Sequence, residues 1–125
     1  MMDRSDQGLE AAIRTLDARK AVGLVVLDLR GRSSLCDHFV ICHGSSERQI
    51  NSLAEAVENA VRDATGLRPR VEGRDGSEWI LMDYGDFVVH IFSEHARAFF
   101  RLESLWYDTA HPQNATRRRD EEEPA

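Results

Sequence analysis

Two groups of residues in this 125-residue chain have side chains of the kind that do chemistry. The first is five histidines and two cysteines, the usual ligands of zinc. Cys36, His38 and Cys42 alternate away from Asp37 and His43 along what reads as a single strand, so they do not converge. No Cys-x-x-Cys or His-Glu-x-x-His spacing occurs. In extended chain, Cys36 and Cys42 stand about 20 Å apart, well past the roughly 7 Å that a disulfide spans. Both are expected as reduced thiols packed like small apolar residues, with no metal and no cofactor. The chain also lacks a Gly-x-x-x-x-Gly-Lys-Ser/Thr loop, a Gly-x-Ser-x-Gly elbow and a Cys-His nucleophile pair. In so short a chain, these absences favour a binding module over an enzyme.

The second group is Gly44-Ser45-Ser46, placed where a helix begins and free backbone N–H groups attract phosphate. It resembles the Gly-Ser that opens nucleotidyltransferase active sites, where a paired acidic motif on the next strand holds two metal ions. Here Arg70-Val71-Glu72-Gly73 supplies one carboxylate and no Asp-x-Asp. The rival to a binding module is therefore a small nucleotidyltransferase-like enzyme or nucleotide-binding protein using Gly44, Ser45, Ser46, Glu72 and Asp83. Ser46 as a simple helix cap explains the same residues without a ligand.

The elements that would position these groups read clearly. Leu9, Ala12, Ile13 and Leu16 fall at helical spacing within a first helix, about 7–20. Leu24 to Leu29 is a near-continuous apolar strand, expected at the centre of a sheet. Cys36 to Cys42 is the second strand, antiparallel to the first because the connection is short. Ser46 and Gln49 fit a capping box for a helix over 47–65, which Gly66 ends. A third strand at Arg70 to Glu72 completes a crossover and is expected to lie parallel to a neighbour. Ser93 caps a last helix whose buried side carries Ala96, Phe99, Leu102 and Trp106. Residues 1–108 are expected to form the domain, and 109–125, with Arg117 to Arg119 followed by Asp120 to Glu123, a disordered charged tail.

Ser77 to Phe92 reads as a β-hairpin reversing at Asp83-Tyr84-Gly85-Asp86. With Tyr84 and Gly85 as the turn, Trp79 faces His90 and Leu81 faces Val88; a turn at Gly85-Asp86 pairs Tyr84 with Phe87 instead. One face, Ile80, Met82, Phe87, Val89 and Ile91, is wholly apolar and suited to a helix layer. The other carries Trp79, Leu81, Asp83, Asp86, Val88 and His90, with Tyr84 at its edge. It is either a surface for a partner, Trp79 as anchor and carboxylates as rim, or a face covered by the protein's own helices.

The chain's 42% hydrophobic and 30% charged residues are ordinary for one soluble globular domain. A net charge of −6 argues against direct DNA binding and permits a basic protein partner. No apolar run reaches a membrane-spanning length and no signal peptide opens the chain, so a cytoplasmic setting without membrane attachment is expected.

Five stretches together carry a resemblance. They are Asp28-Leu29-Arg30-Gly31-Arg32-Ser33-Ser34, Asp37 through Ser46, Glu72-Gly73, Trp79 through His90, and Leu102-Glu103-Ser104-Leu105-Trp106. In this order the chain resembles the ribosomal silencing factors, or Iojap-like proteins. The departures are His38 and Phe100, each where Tyr is common, and His43 where Thr is common. The resemblance implies a mixed α/β (α+β) domain, a five-stranded mixed sheet flanked by helices, related to the nucleotidyltransferase fold without its catalytic carboxylates. It also implies a homodimer that binds protein fourteen of the large ribosomal subunit (uL14). Such a protein blocks subunit joining by steric exclusion and represses translation when nutrients are scarce.

Overall fold

A computed structural model of the chain describes residues 3–32, 34–73 and 78–100, the last two by their backbone alone. In order the elements are α1 (Arg4–Ala18), β1 (Val22–Asp28), β2 (His38–Gly44), α2 (Glu47–Thr65), β3 (Arg70–Glu72), β4 (Trp79–Asp83), β5 (Phe87–Ser93) and α3 (Glu94–Phe100). The strands form one sheet in the order β1-β2-β5-β4-β3, with β2 and β5 parallel and every other pair antiparallel. This is the expected mixed α+β domain with its five-stranded mixed sheet and flanking helices.

The helices form where their ends are satisfied. Asp3 caps α1 by accepting from the Asp6 N–H at 2.9 Å. The Ser46 hydroxyl accepts from the Gln49 N–H at 3.1 Å at the start of α2. The reciprocal arm of the capping box is displaced by one residue: Gln49 Oε1 accepts from the Ser45 N–H at 2.6 Å and the Ser45 hydroxyl at 2.9 Å. Gly66 ends the helix at φ 80°, returning its N–H to the Arg62 carbonyl. Ser46→Ala is expected to cost about 1 kcal/mol, a fall of several degrees in melting temperature that calorimetry resolves. An unchanged midpoint would show that the cap carries no weight.

Leu16, Ile50, Leu53, Val57 and Val61 from α1 and α2 meet Val40, Ile80, Met82, Phe87, Val89 and Ile91 from the sheet in one dry core. The apolar hairpin face is thus buried under helices, as its composition requires. α1 can press this close because residue 8 is glycine: a Cβ there would stand 3.3 Å from the Phe87 ring and 3.4 Å from Val61 Cγ1.

Several expectations are corrected. β1 lies at an edge of the sheet, with Val22 and Val26 46% and 40% exposed, although its apolar run suggests a central position. Its inward residues reach the core and Leu27 packs on the opposite face, so burial from two sides imitates a central strand. β3 runs in the direction of β2 but pairs only with β4, antiparallel. The place beside β2 goes to β5, six of whose seven residues are buried, whereas Arg70 and Glu72 suit an edge. Cys36 precedes β2, and Leu29 follows β1 and turns inward to 1% exposure. Both cysteines are free and buried, as expected. Burial holds the thiol of Cys42 up at about 12, so it stays protonated and inert. Leu102, Trp106 and the charged tail lie outside the described residues, as does the Phe99 side chain. Among the described residues, no helix is long and apolar enough to cross a membrane.

Candidate functional site

The hairpin turns at Gly85-Asp86, with the Tyr84 N–H donating to the Phe87 carbonyl at 3.0 Å. Asp83 therefore faces Val88, Leu81 faces His90 and Trp79 faces Phe92. This replaces the register that sets Trp79 opposite His90. The difference is two residues along β5, so every side chain keeps the face its alternation assigns. The Asp83 carboxylate accepts from the Gly85 N–H at 2.8 Å, and Gly85, at φ 92°, takes the left-handed conformation that the tight reversal requires.

The second sheet face is built around Trp79. Its indole stacks on Phe92 at 5.0 Å between ring centres and donates from Nε1 to His90 Nδ1 at 3.2 Å. The register leaves the two residues diagonal, with their rings tilted by 35° at 5.8 Å between centres. Phe39 meets the imidazole edge to face at 4.6 Å. His90 itself is only 3% exposed, and its Nε2 has no hydrogen-bond partner among the described residues. Burial, opposed in part by the Asp83 carboxylate, pushes its pKa down to about 4 from 6.5. It is neutral at physiological pH, with Nδ1 accepting and the proton on Nε2.

This burial gives a pH dependence of known sign. Between about pH 4 and 6.5 the unfolded chain binds a proton at His90 that the folded chain refuses, so stability rises with pH across that window. The contribution, about 3 kcal/mol for a shift of this size, is complete above pH 6.5 and lost as pH falls toward 4. Urea unfolding of the parent and of His90→Gln at several pH values in that range tests it. Parallel stability curves would remove His90 as the cause.

The face is covered at both ends. At one end, α3 lays Ala96 on Ile41 and Phe92, held by the Ala96 N–H bonding the Ser93 hydroxyl at 3.0 Å. Arg97 donates to the carbonyls of Val22 and Gly23 and ties that helix to the start of β1. At the other end, the segment between β1 and β2 folds Leu29 and Cys36 onto Val88. It is closed by the Leu29 N–H donating to the Asp37 carbonyl at 2.7 Å, and pinned to the hairpin by the Asp37 N–H donating to the Asp86 carbonyl at 2.7 Å. Between the covers, Trp79, Leu81, Phe39 and Leu27 are half-buried.

The named residues are therefore partly brought together. Trp79, Leu81 and Asp83 line β4 on this face, with Val88 and His90 beside them on β5 and more deeply buried. Asp86 is exposed beside α1, where its carboxylate accepts from the Ser5 hydroxyl. Tyr84 departs from the expected grouping: its ring stacks on Phe87 at 4.7 Å, on the side of the helices. Leu35, 84% exposed, and Phe39 were not among the residues picked out by sequence reasoning. The available signal was a large apolar residue set directly after Ser33-Ser34, in a turn that otherwise carries polar groups.

The nucleotidyltransferase-like set is not assembled. Gly44 pairs with Ser93 and Asp83 with Val88, so these groups sit at opposite ends of β5, about 17 Å apart by strand rise. Gln49 already fills the Ser45 N–H, and the cleft of about 340 Å³ there is also lined by Glu47, Glu78 and Glu94, which repel phosphate. No cluster of metal-ligating side chains occurs among the described residues.

Comparison with known proteins agrees with this geometry. Residues 2–125 match the family described as "Ribosomal silencing factor during starvation". The ribosomal silencing factor of Halalkalibacterium halodurans is 38% identical over 100 residues, 80% of this chain and 86% of that protein. A crystal structure of a Chromobacterium violaceum protein superposes with a TM-score of 0.77 at 31% identity, covering 84% of this chain and 87% of that one. A mouse protein named for mitochondrial assembly of the ribosomal large subunit is 26% identical over 104 residues, 78% of this chain and 44% of that protein. The family's name is that of a regulator rather than an enzyme, in keeping with the dispersed carboxylates, and this chain belongs to the ribosomal silencing factor family.

Proposed function

We propose that this protein docks on the large ribosomal subunit through protein fourteen (uL14) and sterically prevents the small subunit from joining, so that translation falls when nutrients are limiting. The family match across residues 2–125 carries the reading. The mouse relative's name, which places that protein with the large subunit, supports the choice of subunit. In this reading the protein works in the cytoplasm as a homodimer. Trp79 is the central anchor, Leu81 lies beside it, and Asp83 and Asp86 form an acidic edge, with Tyr84 at the turn and Val88 and His90 supporting from the neighbouring strand. A net charge of −6 favours a basic ribosomal protein over bare ribosomal RNA. A specific interface needs about 800 Å² per partner, an area that one sheet face with its adjoining loops can supply.

Co-sedimentation with isolated subunits tests the proposal. The protein is expected to pellet with large subunits and not with small ones, and to reduce subunit joining on sucrose gradients. Failure to bind large subunits at low salt would defeat it.

A further inference from the structure

We infer that His90 is the positioning residue of the docking face: its imidazole draws the Trp79 indole N–H inward, so that Trp79 meets its partner through ring carbon alone. The inference rests on the reading of Trp79 as the anchor of that face. It goes beyond that reading in assigning what sets the ring and which atoms the ring offers.

A buried histidine is costly unless both of its ring nitrogens are used. His90 is 3% exposed in the middle of β5, with Ile41 beside it on β2 and Leu81 beside it on β4. Its Nδ1 accepts the indole N–H of Trp79 at 3.2 Å, so its own proton is on Nε2. Among the described residues, nothing accepts that proton. The fold thus carries an unsatisfied buried donor in order to keep one acceptor in place. Packing between Ile41 and Leu81 does not call for it, because an apolar side chain of similar size would fill the site without that cost. What the imidazole adds is direction at residue 79.

Two aromatic rings hold the imidazole in turn. Phe39 meets it edge to face with planes 73° apart, and Phe92 lies nearly parallel to it, at 9° and 6.2 Å between centres. Phe92 is fully buried and also carries the indole, at 27° between planes. Trp79 is therefore held at two points. The stack on Phe92 sets the plane of the indole, and the bond to His90 sets its rotation within that plane. With the N–H used inside, a partner needs no acceptor opposite the ring. Without the acceptor, the N–H would turn toward water to be satisfied and take the ring off Phe92. A phenylalanine at position 79 has no N–H to satisfy and stays on the stack. The imidazole matters to docking only while residue 79 is tryptophan.

The test uses the full chain and isolated large subunits, and compares the parent with His90→Leu, His90→Asn, Trp79→Phe and the double variant His90→Leu, Trp79→Phe. Exchange of the Trp79 indole N–H, read by NMR and identified by its absence from Trp79→Phe, is expected to be about tenfold faster in His90→Leu than in the parent. Large-subunit binding by His90→Leu should weaken about fivefold, with a melting temperature close to the parent's. His90→Asn, whose Oδ1 lies where Nδ1 does, should recover most of that loss, and His90→Leu should cost nothing further in the Trp79→Phe background. A loss of affinity that merely follows a fall in melting temperature, or that is equal in both backgrounds, would overturn the inference by making His90 a packing residue. Unchanged indole exchange in His90→Leu would overturn it as well. Faster exchange with parent-like binding would overturn it and leave the docking role intact. A parent that does not bind large subunits at all would remove the docking role and the inference with it.

Discussion

Trp79→Ala is expected to weaken binding to the large subunit by about thirtyfold or more, the loss of a central aromatic anchor worth at least about 2 kcal/mol. The indole has what an anchor needs. It is half-buried, so its orientation is already fixed, and both of its faces of interaction are accounted for by Phe92 and His90. A partner would complete the burial of a rigid ring rather than order a mobile one. The same substitution removes the indole N–H that His90 Nδ1 accepts and a stacking partner of Phe92, so some loss of stability accompanies it. Binding must therefore be measured well below the variant's melting temperature, with circular dichroism confirming the fold. Trp79→Phe keeps the stack but not the N–H, and should retain much of the affinity. A folded Trp79→Ala protein that binds like the parent would remove the anchor assignment.

Phe87→Ala should have the largest effect on stability, a loss of about 3–5 kcal/mol. Phe87 is 1% exposed, begins β5 and sits where α1 and the hairpin turn meet. Its ring fills the space left by the missing side chain of Gly8 and carries the stacked Tyr84. No neighbouring backbone can easily move in, because α1 is capped at Asp3 and joined to the turn through Ser5 and Asp86. With typical total stabilities of about 5–15 kcal/mol, the variant would be marginal. Urea unfolding should show a much lower midpoint with an unchanged slope; a loss under about 1 kcal/mol would mean that the core collapses around the gap.

What was legible in the sequence was the set of faces. Strict alternation assigned the strand residues Trp79 to Asp83 and Phe87 to Ile91 to their sides, and even a misplaced turn did not change that; Asp86, at the reversal itself, instead turns its carboxylate to Ser5 of α1. The helix ends at Ser46 and Gly66 were legible because capping is local chemistry. Strand order was not legible. Whether β1 or β5 occupies the middle of the sheet depends on which distant segment competes better for the edge of β2, and periodicity carries no information about that competition. The candidate surface was legible in part for a similar reason. Trp79, Leu81 and Asp83 follow from alternation, whereas Phe39 joins them only because β2 pairs with β5, which sets it beside Val88. Tyr84 was grouped with the Trp79 face although alternation with Ile80 and Met82 already places it on the side of the helices, where its ring meets Phe87.

The parallel pairing of β2 with β5 fixes the order in which the molecule can be completed. His38 finds its partner in Phe87, a strand 49 positions further along the chain, as 87 less 38 shows. Helix α1, the β1–β2 pair and helix α2 consist of segments near one another in sequence and can form early. The middle of the sheet must wait for the closure of a long loop. During synthesis, one edge of β2 stays open until β5 has emerged, and the core faces of α1 and α2 have only half a sheet to cover. A chain halted before Phe87 would carry an unpaired strand beside uncovered apolar helices, the arrangement most prone to pairing with another chain. Cotranslational assembly of this domain is therefore decided in its last third.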